Sequence, residues 1–273
     1  MLSWDERSVT TDSSVWLRRA AADDPAVRLL CFPHAGGGAS SFNGWRRALP
    51  DRVELVKAQL PGREDRRESP PHTKIEELIP ALFPHVETLL DRPLALYGHS
   101  MGALVAFEVA RELRRRGHAP LALFVSGRRA PHRPLPPFHA MHDLPEQDLV
   151  DRILSLGGML PGVLGNRRWR DHFLPTIRAD LRLSDVYAYR PEPGLACPLH
   201  AFLGSNDNLV VREDWEKWGE VASGEFTRSL LPGGHFFARE AQAELITRLT
   251  AIIEDALAGE ESPAYAGAVR CRQ

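Results

Sequence analysis

Three residues of the 273-residue chain have the types and the order that acyl transfer by an activated serine requires. Ser100 lies in the stretch GHSMG, with a glycine two residues away on either side. Asp207 follows an apolar run in FLGSNDNLV, and His235 follows another in LLPGGHFF. A serine hydroxyl is a poor nucleophile until a positioned base takes its proton and an acid orients that base. The chain order serine, aspartate, histidine is the one expected when the serine occupies a strand-to-helix turn.

The pattern GxSxG is weak evidence by itself, because glycine and serine are common residues. Its position strengthens it, since the apolar run LALYG precedes the serine and a helical pattern follows. Gly98 and Gly102 lack the Cβ atoms that would clash where the chain reverses, and the turn lies at a helix N-terminus. The alternative is a tight turn with an inert serine. An acid and a histidine in the expected order favour Ser100 as a nucleophile.

Other acids and histidines fit this arrangement less well. Asp214 falls within a predicted helix, and Asp185 lies in a long insertion between strands. His200 lies within a predicted strand and His172 within the same insertion. By contrast, the expected aspartate and histidine each follow a strand, so both should emerge at the carboxyl edge of the sheet, where open α/β sheets bind ligands. An ordinary turn aspartate and a solvent-exposed loop histidine remain the alternatives.

A glycine-rich loop is a source of the donors that a tetrahedral oxyanion needs. The stretch CFPHAGGGASSF follows a predicted strand, and Gly36 and Gly37 allow backbone N–H groups to approach a ligand closely. The predicted donors are the amide of Ala35 and the amide of Met101, the residue after the nucleophile. A phosphate-binding loop is disfavoured, because no GK[ST] follows and the glycines are contiguous instead of spaced GxGxxG.

The remaining histidines and cysteines near these motifs are expected to be structural. His34 and His99 flank the two loops and should hold them through side-chain hydrogen bonds. Cys31 and Cys197 lie in apolar segments, as small buried side chains do. With Cys271 they make a sparse, odd set that matches neither a disulfide framework nor a zinc pattern, which predicts a reducing cytosol and no metal.

Composition excludes several other classes of protein. The 34 basic and 36 acidic residues leave a formal charge of −2, so there is no electrostatic case for binding nucleic acid. The start of the chain lacks the basic and apolar regions of a secretory signal, and no stretch approaches the ~18 apolar residues of a membrane span. These observations predict a cytoplasmic protein.

Short apolar runs that alternate with helical segments must position the reactive residues. Several runs are apolar without alternation, as in strands that are buried on both faces. Strands are predicted at 27–32, 53–60, 94–98, 121–127, 199–204 and 226–231, and helices at 75–90, 102–116, 211–222 and 239–257. Their alternation predicts an α/β fold with a doubly wound, mostly parallel sheet.

One interval, about 131–193, contains no convincing strand and consists of proline-rich loop and amphipathic helix. It is predicted to be an insertion, either decoration or a lid over the carboxyl edge of the sheet. Its apolar residues at helical spacing, which either line a chamber or pack on the domain, include Leu149, Ile153, Leu156 and Met159. We expect a single domain over 1–258 and a disordered tail over 259–273, where no apolar period appears.

Six stretches together resemble type II thioesterases, the stand-alone editing hydrolases that accompany polyketide synthases and nonribosomal peptide synthetases. The stretches are FPHAGGGASSF, QLPGRED, YGHSMGALVAFEVA, LFVSGRRAP, RADLRLSDVYAY and LPGGHFF. The resemblance extends from about Trp16 to Leu257. It implies an α/β-hydrolase fold with a lid, and hydrolysis of acyl thioesters on the phosphopantetheine arm of a carrier protein without a cofactor. The editing role would be the removal of aberrant, stalled or mis-primed acyl groups.

The partner that the resemblance implies is an acyl carrier or peptidyl carrier protein, with no membrane or nucleic acid involved and with the enzyme as a monomer. Such carriers are typically acidic, so an arginine-rich rim would raise the encounter rate. The arginines that could form this rim are Arg46, Arg47, Arg63, Arg66, Arg67, Arg114 to Arg116, Arg128, Arg129 and Arg133. Solvated helix faces are the alternative interpretation of these arginines.

Two further hypotheses stay open. The first is another serine acyl enzyme, either a chain-terminating cyclising thioesterase or an esterase that acts on small esters. A terminating domain is normally fused to a synthase, whereas this chain begins at Met1 without a carrier-like segment, which disfavours that version. The second is a non-catalytic scaffold of the same fold, which would have no need of Ser100, Asp207 and His235 together.

Overall fold

A computed structural model describes residues 15–20, 22–136, 139–158, 162 and 166–260. Within these residues a seven-stranded sheet has the order β1-β3-β2-β4-β5-β6-β7. The strands are β1 Leu17–Arg19, β2 Val27–Phe32, β3 Val53–Ala58, β4 Leu94–His99, β5 Ala122–Ser126, β6 Leu199–Gly204 and β7 Phe226–Leu231. β1 runs antiparallel to β3, and every other pair is parallel.

All six predicted strands are present, within two residues of their predicted bounds. β2, β4, β5 and β6 are buried along their whole length, which is the reason that their sequences are mainly apolar and lack a regular alternation with polar residues. The prediction missed β1, whose three residues, LRR, carry no apolar run. It exists through pairing with β3, where Leu17 faces Ala58.

The helices lie on both sides of the sheet. They are α1 Trp45–Ala48, α2 Ile75–Glu87, α3 Met101–Arg115, α4 Glu146–Ser155, α5 Arg167–Asp185, α6 Arg212–Trp215, α7 Phe237–Glu240 and α8 Gln242–Glu260. The predicted helices at 75–90 and 102–116 correspond to α2 and α3. The one predicted at 239–257 corresponds mostly to α8, which continues to Glu260, beyond the predicted start of the tail. The rest of the tail, 261–273, lies outside the described residues.

The helical segment predicted over 211–222 is present over 212–221, but most of it is not α-helical. Only the short α6 is α-helical there, and residues Glu216–Val221 form a 3-10 helix. Its buried residues Trp215, Trp218 and Val221 recur every three positions, which is the period of a 3-10 helix. The spacing of the apolar side chains was therefore visible in the sequence but belongs to the tighter helix.

Two apolar clusters hold the helices against the two faces of the sheet. Along β2, Leu30 and Phe32 pack in the cluster that contains α2 and α3, whereas Leu29 and Cys31 pack in the cluster that contains α8. Neighbouring side chains of a strand point to opposite faces, so both faces of this strand are covered. Cys31 and Cys197 are free and buried, as predicted, and burial raises the pKa of the Cys197 thiol to about 12. Cys271 lies outside the described residues.

The segment between β5 and β6 is an insertion with its own small apolar core. It contains α4 and α5, and the described part of it holds no strand. Leu149, Val150 and Leu174 are buried in this core. α5 begins at Arg167, where the Asn166 side chain accepts a hydrogen bond from the Arg168 amide at 2.9 Å and caps the helix. Met159 lies outside the described residues.

In the described part of the chain, none of the helices combines the length and the apolar character that crossing a bilayer would require. Across the same residues, no three histidine, cysteine, aspartate or glutamate side chains form a group that could hold a metal ion.

Candidate active site

Ser100 occupies the sharp turn between β4 and α3. Its φ of 56° and ψ of −115° place it in a conformation that residues with a Cβ rarely adopt. The Ser100 amide donates a hydrogen bond of 2.8 Å to the Ser126 carbonyl at the end of β5, the neighbouring strand. This bond helps to hold the turn in its strained form.

Gly98 and Gly102 make the turn sterically possible. A Cβ atom on Gly98 would lie 2.0 Å from the Gly102 carbonyl oxygen, and one on Gly102 would lie 2.1 Å from the Phe32 carbonyl oxygen. Both clashes are with backbone, which cannot move aside without displacing β2 or α3. The two glycines therefore set how closely α3 approaches the sheet, as the sequence predicted for them.

The structure brings Ser100, Asp207 and His235 into one hydrogen-bonded series. The His235 Nε2 atom lies 3.0 Å from Ser100 Oγ, and its Nδ1 atom lies 2.8 Å from Asp207 Oδ2. The side chain of Asp207 is fully buried and that of His235 is 3% exposed. This geometry is the one in which a histidine can take a proton from the serine while the carboxylate fixes its tautomer.

Two loops that pack closely against each other hold the aspartate and the histidine in place. Asp207 Oδ1 accepts hydrogen bonds from the amides of Leu209 and Val210, at 2.9 and 3.1 Å. The Asn206 amide donates to the Gly233 carbonyl at 2.9 Å, which ties the loop after β6 to the loop after β7. The second oxygen of the carboxylate is left for His235.

The competing acids have other partners. Asp214 forms an ion pair of 2.7 Å with Arg133. Asp185 accepts hydrogen bonds from the amides of Met141 and His142, at 2.8 and 3.1 Å, and from the His142 ring at 2.9 Å. Neither carboxylate is recorded in contact with the His235 ring.

The competing histidines are also engaged elsewhere. The ring of His200, on β6, hydrogen-bonds to the Thr227 hydroxyl. The ring of His172, on α5, packs edge-on against Trp169. Neither imidazole is recorded in a hydrogen bond with Ser100, which leaves His235 as the base partner that the geometry provides.

His34 and His99 make the kind of contacts that the sequence predicted for them. His99 Nδ1 lies 2.8 Å from Ser126 Oγ, and His34 Nδ1 lies 3.0 Å from the Ala35 carbonyl. Burial lowers the pKa of both imidazoles, and that of His99 falls well below its usual value. Both rings are therefore neutral near pH 7 and add no positive charge beside His235.

The glycine-rich loop lies beside the serine and is held by a buried ion pair. Arg63 and Asp180 form two hydrogen bonds of 2.6 and 2.7 Å, and their side chains are 5% and 3% exposed. Asp180 also accepts from the Gly36 amide at 2.7 Å, and Arg63 donates to the Gly37 carbonyl at 2.9 Å. Asp180 of α5 therefore anchors the glycine-rich loop, although it lies 144 residues after Gly36 in the sequence.

Sequence reasoning missed this anchor, although Arg63 and Asp180 both lie in stretches on which the resemblance rests. Arg63 was instead expected on an exposed rim, and that expectation is wrong because Arg63 is only 6% exposed. The same correction applies to Arg128, which is also 6% exposed. Charge alone does not distinguish a solvated arginine from one that a distant carboxylate neutralises.

The two predicted oxyanion donors are near the serine and have no recorded acceptor. Met101 is the first residue of α3, so its N–H has no acceptor within the helix. Within the ranges that the structure describes, no protein acceptor is recorded for the amide of Met101 or of Ala35. Gly36, next to Ala35, has a φ of 77°, a conformation that glycine adopts readily.

Two cavities have Ser100 in their walls. The first, called the apolar cavity below, also contacts His235 and is lined by Ala35, Met141, Ile153, Leu156, Ile177, Leu181, Leu209 and Phe236. The second, called the polar cavity because Arg128, Arg129, Asp185 and Asp214 line it, also has His139 and Ser184 in its wall, together with the apolar residues Leu135, Met141, Leu181, Leu209, Val210 and Val211. Of the apolar residues predicted to face a chamber, Ile153 and Leu156 do so, whereas Leu149 packs inside the insertion.

A parallel sheet with a strained serine turn, and with a histidine and an aspartate at the same carboxyl edge, defines the α/β-hydrolase fold. The chain belongs to the thioesterase family, since the sequence pattern of the thioesterase domain family matches residues 27–255.

Curated relatives agree with this assignment. The gramicidin S biosynthesis protein GrsT of Aneurinibacillus migulanus is 38% identical over 85% of this chain and 91% of its own length. Thioesterase PikA5 of Streptomyces venezuelae is 37% identical over 88% of this chain and 86% of its own length.

Solved structures agree as well. The type II thioesterase BorB of the borrelidin biosynthetic cluster has a TM-score of 0.81 and 37% identity, over 89% of this chain and 99% of that protein. The thioesterase RedJ of the prodiginine pathway of Streptomyces coelicolor has a TM-score of 0.78 and 40% identity, over 85% of this chain and 90% of that chain.

Asp180→Ala is expected to lower the free energy of unfolding by about 3–5 kcal/mol, because it leaves the Arg63 guanidinium buried without its counter-charge. Chemical denaturation followed by circular dichroism measures the change. Asp51→Ala is the matched control: it also removes an ion pair, with Arg46, but Asp51 is fully exposed and its loss should leave the midpoint unchanged. Equal effects of the two substitutions would contradict a structural role for the buried pair.

Proposed function

We propose that this thioesterase uses Ser100 as nucleophile, His235 as general base and acid, and Asp207 as the group that orients the imidazole. The observation that carries the proposal is the pair of hydrogen bonds, 3.0 and 2.8 Å, that joins the three side chains in this order. The buried carboxylate stabilises the imidazolium that forms when His235 accepts the serine proton.

The reaction consists of two acyl transfers. In the first, Ser100 Oγ attacks the thioester carbonyl carbon while its proton passes to His235 Nε2. The C–S bond then breaks, and the leaving sulfur, already stable as a thiolate, accepts that proton. In the second, water attacks the acyl-serine, gives a proton to His235, and the Ser100 oxygen leaves and recovers it. The products are a carboxylic acid and a free thiol.

Each tetrahedral intermediate carries a negative oxygen that needs donors fixed in advance. We assign this role to the backbone amides of Ala35 and Met101, which have no recorded acceptor in the described part of the chain. The Asp180 carboxylate, which accepts from the Gly36 amide, would keep the Ala35 amide in position. The N-terminus of α3 adds a favourable dipole at the same point.

The proposed substrate is an acyl thioester on the phosphopantetheine arm of an acyl carrier or peptidyl carrier protein. Relatives named for polyketide and peptide antibiotic pathways support this class of substrate. The apolar cavity beside Ser100 suits the hydrocarbon part of an acyl group. The proposed role is editing, in which acyl groups that block a carrier are removed. The carrier complex, a monomeric enzyme and a cytoplasmic location stay predictions.

The insertion is proposed to act as a lid. Met141, Ile153, Leu156, Ile177 and Leu181 of the insertion all line the apolar cavity, so movement of α4 and α5 would open it. Opening and closing of these helices would control access to Ser100.

One observation favours a second candidate function, the release of a finished chain. The AMB antimetabolite synthetase AmbE of Pseudomonas aeruginosa is 39% identical over 236 residues, which are only 11% of its length. A domain of this family therefore also occurs within a large synthetase. Both functions share the acyl-serine, and they differ in the acyl group that is accepted and in whether water or an internal nucleophile attacks it.

Ser100→Ala is expected to lower kcat for hydrolysis of an acyl-pantetheine thioester by about 10⁴- to 10⁶-fold, because no other group can form the acyl-enzyme. Thiol release measured with a disulfide reagent gives the rate. Ser223→Ala, which removes an exposed hydroxyl bonded to the Gly194 carbonyl, is the matched control and should keep normal activity. Normal turnover by Ser100→Ala would exclude it as the nucleophile.

Asp207→Asn is expected to lower kcat by about 10⁴-fold while the protein stays folded, since an amide stabilises the wrong tautomer of His235. Asp185→Asn and Asp214→Asn serve as controls, because their carboxylates bind other groups. If either control loses activity to that extent while Asp207→Asn does not, the orienting acid is misassigned.

Substrate comparison tests the proposed substrate class. We expect kcat/KM for an acyl-carrier thioester to exceed that of a small oxygen ester of the same acyl group by about 10-fold or more. The small ester lacks the pantetheine arm, which supplies binding energy. Product analysis by mass spectrometry then distinguishes the two candidate functions. Short acyl groups released as free acids indicate editing, whereas a cyclised or fully elongated product indicates chain release. Preference for the oxygen ester would contradict both.

A further inference from the structure

Arg128 differs from the other buried arginines of the described chain. Four arginines there are buried, and three of them have a carboxylate partner: Arg28 pairs with Glu54 at 2.8 Å, Arg63 with Asp180 and Arg111 with Glu108, both at 2.6 Å. For Arg128 no ion pair is recorded within the described ranges. A buried charge is costly unless it is paired, so an exception of this kind needs an explanation.

Some of the N–H donors of the Arg128 guanidinium have no hydrogen-bond acceptor among the described residues. Its Nη1 atom donates to Ser184 Oγ at 2.8 Å, and its buried Nε atom has no partner among the described residues. Burial, with a smaller effect of the neighbouring Arg129 charge, lowers the pKa of Arg128 to about 9. The guanidinium is therefore still charged near pH 7, and its environment favours the arrival of a hydrogen-bond acceptor.

Arg128 lines the polar cavity, and Ser100 lies in the wall of that same cavity. Arg128 follows β5, the strand between β4 and β6, and so reaches the edge of the sheet where the nucleophile is. An acceptor bound by Arg128 would consequently belong to a substrate whose reactive carbonyl is at Ser100.

The surroundings of Arg128 favour an uncharged acceptor over an anion. The polar cavity carries charges of both signs, from Arg128 and Arg129 and from Asp185 and Asp214. Asp185 and Asp214 already have partners of their own, so they require nothing from a ligand. A chain with amide carbonyls suits such a mixed environment, because each carbonyl oxygen can accept from a guanidinium without bringing in a net charge.

The two cavities meet at Ser100 and share the apolar residues Met141, Leu181 and Leu209, but only the polar cavity has arginine and aspartate side chains in its wall. Together they match the two substituents of a thioester carbonyl. Hydrocarbon suits the apolar cavity, which leaves the polar cavity for the group attached to sulfur. We propose that the polar cavity receives the pantetheine arm and that Arg128 donates a hydrogen bond to an amide carbonyl oxygen of that arm. The proposal rests on the substrate class proposed above and assigns Arg128 as a substrate-binding residue.

The test compares two substrates that carry the same acyl group, an acyl-pantetheine thioester and a p-nitrophenyl ester that has no amide. Arg128→Met keeps the length of the side chain and removes its donors. We expect kcat/KM for the pantetheine thioester to fall by about 10- to 100-fold, mainly through a higher KM, as loss of a charged hydrogen bond predicts. The value for the p-nitrophenyl ester should change by no more than about 2-fold.

Two further variants complete the comparison. Arg116→Met is the matched control: Arg116 is exposed, pairs with Glu87 and Glu112, and lines neither cavity, so its loss should keep the activity on both substrates. Arg128→Lys keeps a charge and one flexible donor group, so it should show the same selective loss to a smaller extent. If Arg128→Met fails to fold, this lysine variant carries the comparison.

An equal loss on both substrates would overturn the proposal, because the two share the acyl group and only one of them carries amides. The same selective loss in Arg116→Met would overturn it as well. If the unaltered enzyme cleaves the p-nitrophenyl ester but not acyl-pantetheine, the proposed substrate class fails, and this result differs from each of the others.

Discussion

The close approach of α3 to the sheet at the turn after β4 is the constraint on which the rest of this structure depends. Backbone oxygens lie about 2 Å from where side chains of Gly98 and Gly102 would begin, so only glycine permits the approach. The strain at Ser100, of about 1–3 kcal/mol for such a conformation, is tolerated because α3 is buried along most of its length. Packing of the whole helix thus holds one hydroxyl at the edge of the sheet.

The parallel arrangement of β4, β5, β6 and β7 brings the ends of four strands to one edge. Ser100 follows β4, Asp207 follows β6 and His235 follows β7, while β5 supplies the Ser126 carbonyl that holds the serine turn. Each of these loops contributes one group to the site, and the site forms only when the loops lie side by side. The distances that join these three side chains are therefore set at the ends of the core strands.

The insertion supplies what surrounds that centre. Through Asp180 of α5 it anchors the glycine-rich loop, and through Ser184 of the same helix it contacts Arg128. Ile153 of α4 and Ile177 of α5 line the apolar cavity, and Ser184 and Asp185 of α5 line the polar cavity. A displacement of α5 would therefore alter the glycine loop, the apolar cavity and the polar cavity together. Opening of the proposed lid and the geometry of the proposed oxyanion site are in this way mechanically connected.

The amino-acid sequence by itself determined the elements whose signals are local. Short strand-like runs marked the six core strands, the glycines around Ser100 marked the turn, and the order of serine, aspartate and histidine marked the three loops that meet. Tertiary structure alone decided the rest: the edge strand β1, the pairing of Arg63 with Asp180 and the unpaired burial of Arg128. Arg63 and Asp180 are 117 residues apart, and nothing near either one distinguishes it from a solvated charge. Burial and pairing of a charge depend on which distant groups the fold brings close, whereas a turn or a strand depends on its own few residues.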